Sequence, residues 1–304
     1  MRLFVTGASG WIGSAVVPEL LGAGHQVTGL ARSDASAAAL AAAGVGVVRG
    51  TIDDLDTLRH AAAASDGVIH LAFKHDIAFS GRFDDAVDAD RRVVEAIGEA
   101  LAGSDRPLTI ASGLLGLLPG RLATETDGHE GSDATSGGPR ARHATAELTL
   151  SLAGRGVRAS VVRLPPTVHG DGDQGFLASL IGIARQRAVA GYVGDGSNRW
   201  PAVHRFDAAR LFRLAVEKAP AGSTLHAVAD EGVPVREIAE VIGRHLDVPV
   251  AAVEPEHMAW LAGFIALDSP ASSALTRELL GWQPTGPGLI DDLDQGHYFE
   301  VRGS

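Results

Sequence analysis

The chain of 304 residues contains no cysteine. That one absence removes disulfides, thiolate metal ligands and a cysteine nucleophile, and it suits a reducing cytoplasmic setting. Basic residues are outnumbered: 26 Lys and Arg stand against 37 Asp and Glu, a net charge of −11. A nucleic-acid-binding surface is not expected on such a chain. No apolar run approaches the roughly 20 residues that span a bilayer, so no membrane partner is expected either. Met1-Arg2-Leu3-Phe4 enters a strand-like run at once, so no signal peptide is expected. Metal-site spacing is missing: His60, His70 and His75 do not fall at i, i+4 on one helix, and no carboxylate–histidine cluster forms a ligand set. The Gly-x-Ser-x-Gly elbow of hydrolases is absent as well. What is present is a 45% hydrophobic composition on a chain long enough for an ample core.

The most informative stretch is Val5-Thr6-Gly7-Ala8-Ser9-Gly10-Trp11-Ile12-Gly13, between the apolar run from Arg2 and the helical pattern from Ser14. Strand, glycine turn and helix in this order predict a dinucleotide site. Gly7 allows the sharp exit, Gly10 lets the backbone approach a diphosphate, and Gly13 lets the helix pack on the strand. The helix start offers its free amides to the anion.

Strand-like runs recur at 25–31, 46–49, 66–72, 107–112 and 158–163, separated by Ala/Leu-rich amphipathic stretches at 34–43, 54–64, 82–102 and 139–154. This alternation predicts an α/β protein: a doubly wound, parallel-sheet Rossmann fold. Residues 1–165 would form the nucleotide-binding domain. Residues 166–304 would form a smaller mixed α/β lobe for substrate, with a segment near 195–220 returning to the large sheet. Helical patterns near 174–187, 207–218, 235–246, 255–266 and 271–280 and a strand-like run at 223–228 belong to this half. The Gly/Pro/Ser-rich stretch 114–138 reads as the longest loop.

With these elements in place, the chain resembles the extended short-chain dehydrogenase/reductase family, the nucleotide-sugar epimerase/dehydratase type. Thr6–Gly13 matches its TGxxGxxG, and His70-Leu71-Ala72 ends the fourth strand as in that family. Arg163-Leu164-Pro165-Pro166-Thr167-Val168-His169-Gly170 is similar to its R-P-x-x-V-Y-G segment, which lies near the nicotinamide. Val203 to Asp207 and Leu279 to Pro284 are similar to its late V-x-x-x-D and L-G-W-x-P features. The resemblance implies a nicotinamide cofactor held by Gly7, Ser9, Gly10, Trp11, Ile12, Gly13, Leu71, Ala72 and Pro165. It also implies a small carbonyl, alcohol or sugar-type substrate. A homodimer built on the helices near 82–102 and 139–154 is a further expectation.

The family's Tyr-x-x-x-Lys pair is missing. Neither tyrosine of this chain, Tyr192 or Tyr298, has a lysine four residues on; Gly196 and Arg302 stand there. Counting back from Glu147 places His143 in the lysine position and Pro139 in the tyrosine position, so the pattern resembles the atypical members of the superfamily. Ser112 is the candidate active-site serine, and Asp90, less readily Asp88, stands for the family's helix asparagine. A replacement acid is best sought among histidines, whose pKa lies near working pH. His143, His169, His204 and His75 are placed for it. Lys74, His204 and the corner Asn198-Arg199-Trp200 are candidates to bind substrate.

Cofactor choice follows from charge. The position that normally holds the acid for an NAD ribose is Ala31, followed by Arg32 and Ser33. A guanidinium and a hydroxyl suit a 2′-phosphate, so NADP is expected. Thr51 and Ile52 would flank the adenine. The sequence thus predicts an NADP-dependent oxidoreductase or epimerase-like enzyme, with a catalytically silent NADP-binding sensor or scaffold as the alternative.

Overall fold

The computed structural model describes residues 1–128 and 139–300. In chain order the first half runs β1 (Arg2–Thr6), α1 (Gly13–Gly22), β2 (Gln26–Ala31), α2 (Asp34–Ala42), β3 (Gly46–Arg49), α3 (Leu55–Ala63) and β4 (Gly67–His70). A short α4 (His75–Phe79) and the long α5 (Phe83–Leu101) follow, then β5 (Pro107–Gly113), α6 (Pro139–Ser151) and β6 (Arg158–Leu164). The second half comprises β7 (Thr167–His169), α7 (Phe176–Arg187), β8 (Ala190–Tyr192), β9 (Arg199–His204), α8 (Arg205–Lys218) and β10 (Ser223–His226). It ends with β11 (Asp230–Pro234), α9 (Val235–Leu246), β12 (Val250–Ala252), α10 (Ala274–Leu280) and α11 (Leu289–Asp294).

Seven strands form one parallel sheet in the order β10-β6-β5-β4-β1-β2-β3. The order reverses between β1 and β4, and ligands of such sheets bind beyond the carboxyl ends at that reversal. The strands read as near-continuous apolar runs because helices cover both faces. On one face Val16, Leu20, Leu211 and Phe212 of α1 and α8 pack on Val5 and Val162. On the other, Leu58, Val93, Val94 and Ile97 of α3 and α5 pack on Phe4, Val68 and Leu108. The spacing Ala86, Asp90, Val93, Val94, Ile97, Leu101 gives α5 one buried stripe, and Asp84 and Asp85 favour its N-terminus. A carboxylate, Asp90, therefore sits in the middle of an otherwise apolar face.

The smaller lobe has a three-stranded sheet, β11-β9-β7, and a parallel pair, β12-β8. Its own core includes Leu177, Ile181, Trp200, Ile238 and Leu261. The chain returns to the large sheet through α8, against α1, and β10, beside β6. That return begins at Arg205, because β9 pairs with β7 and β11 instead. Near 255–266 the expected helix is a 3-10 segment, Pro255–Gly263, kinked at Ala259. Of the expected loop 114–138, residues 129–138 lie outside the described residues. Residues 114–128 are anchored, with Leu114, Leu117 and Ala123 in a small cluster with Val228 and Ala271. No helix among the described residues is long and apolar enough to cross a membrane.

Candidate active site at the reversal of the sheet

Gly7 has φ +67°, and a Cβ there would stand 2.8 Å from the Ala72 amide nitrogen. At Gly13 a Cβ would fall 2.1 Å from the Gly7 carbonyl oxygen. Neither position admits a side chain, so the end of β1, the start of α1 and the end of β4 close on one another. Gly10 differs: a Cβ there would touch only the Gly7 oxygen, at 3.2 Å, and otherwise meet open space. The amides of Gly10 and Ser14 are used inside the turn, whereas those of Trp11 and Ile12 have no acceptor among the described residues. Free amides at a helix start, facing a space with no side chain, fit a diphosphate.

Trp11 staples this turn to the smaller lobe. Its indole donates to the Val168 carbonyl (2.9 Å), and the Arg205 guanidinium lies 4.1 Å above its ring. Of the residues expected at the cofactor, Leu71 and Ala72 follow β4, and Pro165 follows β6, at the same edge of the sheet.

At the outer edge, β2 and β3 place Ala31 beside Arg49. Arg49 donates to the Ser33 carbonyl (2.6 Å) and pairs with Asp34. The acid nearest to the expected phosphate position is thereby neutralised, while Arg32 is exposed and makes no ion pair among the described residues. Ser33 is used differently from the expectation. Its hydroxyl caps α2, accepting from the Ser36 amide (3.2 Å) in a capping box. Thr51 likewise turns inward to Asp54, through its amide (2.6 Å) and hydroxyl (3.0 Å), and Ile52 is buried. Those two bonds hold the Asp54 carboxyl below its ordinary range.

A buried chain of polar groups lies where β1 and β4 end. The Thr6 oxygen accepts from the amides of Leu71 (3.2 Å) and Ala72 (3.3 Å). With both lone pairs engaged, its O–H donates to His70 Nδ1 (2.6 Å). His70 Nε2–H is then free to donate to Asp90 Oδ1 (3.0 Å). Sequence reasoning placed Asp90 at the site but missed His70 as its partner, since the two lie on a strand and a helix 20 residues apart.

Ser112 ends β5, paired in register with Arg163 of β6. Its hydroxyl is buried and has no hydrogen-bond partner among the described residues. His143 is buried on α6. One residue earlier, Arg142 lies 4.1 Å over the Phe73 ring and donates to the Ala111 carbonyl at 3.4 Å. Burial pushes its guanidinium below the ordinary arginine value, opposed by the charge of Asp90. Arg142 was not foreseen, although its place beside His143 on an amphipathic helix was a usable signal.

Of the other candidates, His75 does come to this point: its ring meets the Phe73 ring edge-on at 5.1 Å, and burial first, then the charge of Arg142, lowers its pKa to about 4. The structure uses His169, His204, Lys74 and 198–200 elsewhere. His169 is fully buried, its Nδ1 2.8 Å from Asp292 Oδ2 and its ring 5.4 Å from that of His204. In this conformation it is walled off by the C-terminal segment. The His204 ring accepts from the Phe206 amide (3.5 Å), and burial first, then His169, lowers its pKa. The expected substrate wall at 198–200 is a packing corner. The Trp200 side chain has 0% exposure, and its indole donates to the Leu267 carbonyl (3.1 Å). Asn198 donates to the carbonyls of Ile265 and Leu267, and Arg199 grips Asp268 through two bonds of 3.0 and 2.9 Å. Lys74 is held by Asp53 at 2.7 Å. Among the described residues no cluster of His, Asp and Glu could hold a metal.

A glycine turn with free amides at the reversal of a doubly wound sheet defines a dinucleotide-binding Rossmann protein. A sequence profile described as the NAD dependent epimerase/dehydratase family matches residues 3–228, and the chain belongs to that family. It is 49% identical to an uncharacterized protein of Schizosaccharomyces pombe over 305 residues, covering 98% of this chain and 100% of the other. It is 30% identical to a 2-alkyl-3-oxoalkanoate reductase of Stenotrophomonas maltophilia over 253 residues, 78% of this chain and 73% of that one. In fold it is similar to a UDP-glucose 4-epimerase of Thermotoga maritima solved with UDP-glucose (TM-score 0.76, 19% identity, 98% of each chain).

Proposed function

We propose that this protein is an NADP-dependent oxidoreductase that acts on a small carbonyl or alcohol substrate without the family's tyrosine. The observation that carries this is the Ser112 hydroxyl, buried at the end of β5 with no partner among the described residues. Buried polar atoms are normally satisfied, and this one ends β5 in the position of the family's active-site serine. A substrate carbonyl accepting from Ser112 supplies the missing partner. The similarity to a reductase of 3-oxoalkanoates supports carbonyl reduction.

The bound nicotinamide would supply or accept the hydride. The chain's own residues divide the remaining work. The amides of Trp11 and Ile12 bind the diphosphate, Arg32 meets the 2′-phosphate, and Ser112 orients the carbonyl. His143, in the position of the family's lysine, is the group to exchange the proton, histidine being the most frequent general acid–base side chain. Asp90 acts through His70 and Thr6 as a positioning residue, fixing the Leu71-Ala72 turn against Gly7.

The test is a panel of aldehydes, ketones and oxo acids with NADPH and NADH, followed at the nicotinamide absorbance. Turnover with NADPH preferred is expected, and Arg32→Glu should reverse that preference. Tight NADPH binding with no turnover across the panel would return the protein to the sensor class. An unchanged cofactor ratio in Arg32→Glu would remove Arg32 as the phosphate ligand.

A further inference from the structure

The mechanism so far leaves one charged group unused. Arg142 carries five N–H donors, of which one is used among the described residues, in the 3.4 Å bond to the Ala111 carbonyl. Its Nε is buried with no partner among the described residues. Asp90 attracts it through space but makes no hydrogen bond with it and is already engaged by His70. A guanidinium withdrawn from water in this way is costly unless an anion completes it. Below the guanidinium is the Phe73 ring, and beside it is the strand residue that precedes Ser112. Stacking on Phe73 fixes the plane of the fork, which leaves its edge for a planar, two-oxygen acceptor.

We infer that Arg142 is the substrate's carboxylate anchor, and that the substrate is a small oxo acid whose carbonyl reaches Ser112 while its carboxylate pairs with Arg142. This rests on the oxidoreductase reading of the same site and adds the substrate's charge to it. A phosphate would suit a guanidinium too, but the planar seat over Phe73 and the neighbouring Asp90 favour the smaller, singly charged group. The overall charge of −11 does not draw anions to this protein, so a local cation has to do so.

The experiment is calorimetric binding to NADP⁺-loaded protein of acetoacetate and of its neutral methyl ester, in wild type, Arg142→Met and Arg142→Lys. NADPH affinity is measured separately for each. In wild type the acid should bind about tenfold to a hundredfold more tightly than the ester, the range of a charge-assisted pair. Arg142→Met should erase that difference while holding NADPH affinity within about threefold, which also establishes that the variant is folded. Arg142→Lys should keep part of it, since it restores charge without the fork. Equal binding of acid and ester by wild type overturns the inference, as does an acid preference that survives in Arg142→Met. A parallel loss of NADPH affinity would make Arg142 a cofactor ligand and overturn it too. If the acid is preferred but no substrate turns over, the anchor stands and the oxidoreductase reading falls.

Discussion

Replacing Asp90 tests whether the buried chain from Thr6 through His70 is a designed connection between the glycine turn and the cleft. In the native protein Asp90 Oδ1 accepts from His70 Nε2–H at 3.0 Å, and both side chains are within 4% of full burial. Asp90→Ala leaves that N–H without an acceptor in a site that water does not reach. A charge-assisted hydrogen bond is worth about 1.5–3 kcal/mol, and an orphaned buried donor costs a similar amount. A loss of about 3 kcal/mol is therefore expected, since Asp90 also opposes the charge of Arg142. In a chain of this size each kcal/mol lowers Tm by about 2 °C or slightly more, so the melt should shift by about 6 °C. Asp90→Asn keeps an oxygen in the same place and loses only the charge-assisted part, about 1 kcal/mol or about 2 °C. Differential scanning calorimetry of wild type and both variants, without cofactor, decides the matter. Equal melts for Asn and Ala, or no shift in Ala, would refute the hydrogen-bond argument. A ¹⁵N spectrum placing the His70 proton on Nδ1 would refute the direction assigned to the Thr6 bond.

The glycine turn makes a paired prediction: Gly13→Ala forces a Cβ to 2.1 Å from the Gly7 oxygen and should abolish soluble folded protein. Gly10→Ala should fold, because only one atom crowds it, yet weaken NADPH binding at least tenfold by fluorescence titration; unchanged affinity would place the diphosphate elsewhere. A third concerns Asp173, whose carboxyl is raised to about 6, first by burial and against the bond it accepts from the Gly175 amide. A carboxyl with a raised folded value favours the protonated native state, so its contribution falls as pH rises from about 4 to about 6. His226, pushed down to about 4 by burial and by Arg163, acts in the opposite sense over the same window. The wild-type profile is thus the sum of opposed slopes, and Asp173→Asn should rise more steeply with pH between 4 and 6 in urea titrations. Parallel profiles would show that Asp173 titrates normally.

Much of the fold was legible because its signals are long or exclusive. The α5 pattern repeats over five turns, and the thread Val5–Gly13 has glycine where a Cβ would collide. What escaped was short or non-local. β7, β8 and β12 have three residues each, too few to display a period of two. The corner Asn198-Arg199-Trp200 has the residue types of a binding wall, yet its donors serve the carbonyls and carboxylate of 265–268. Only the partner segment, some 67 residues away, reveals that use. The bond between His70 and Asp90 joins a strand and a helix in the same way. Local pattern reports which face a residue occupies, and not which distant group it meets there.

The loss of the tyrosine–lysine pair from α6 is better understood as a rotation of charge than as its removal. An α-helix turns by about 100° per residue, so a cation at 142 cannot point where one at 143 would. His143 stands in the family's lysine position, whereas Arg142 is carried round to Phe73 and Ala111. The chain has only two lysines, Lys74 and Lys218, and neither is on this helix. An imidazole at 143 can still bind a hydroxyl and can itself exchange a proton, a task the lysine performs only through the tyrosine. Arginine at 142 cannot exchange a proton, but it can bind an anion that a tyrosine at 139 would not hold. If both substitutions act together, His143→Lys with Arg142 intact should keep oxo-acid binding and lose turnover. Arg142→Met with His143 intact should raise KM for the acid far more than it lowers kcat. Identical effects on kcat and KM in the two variants would mean that the two side chains do not divide the work in this way.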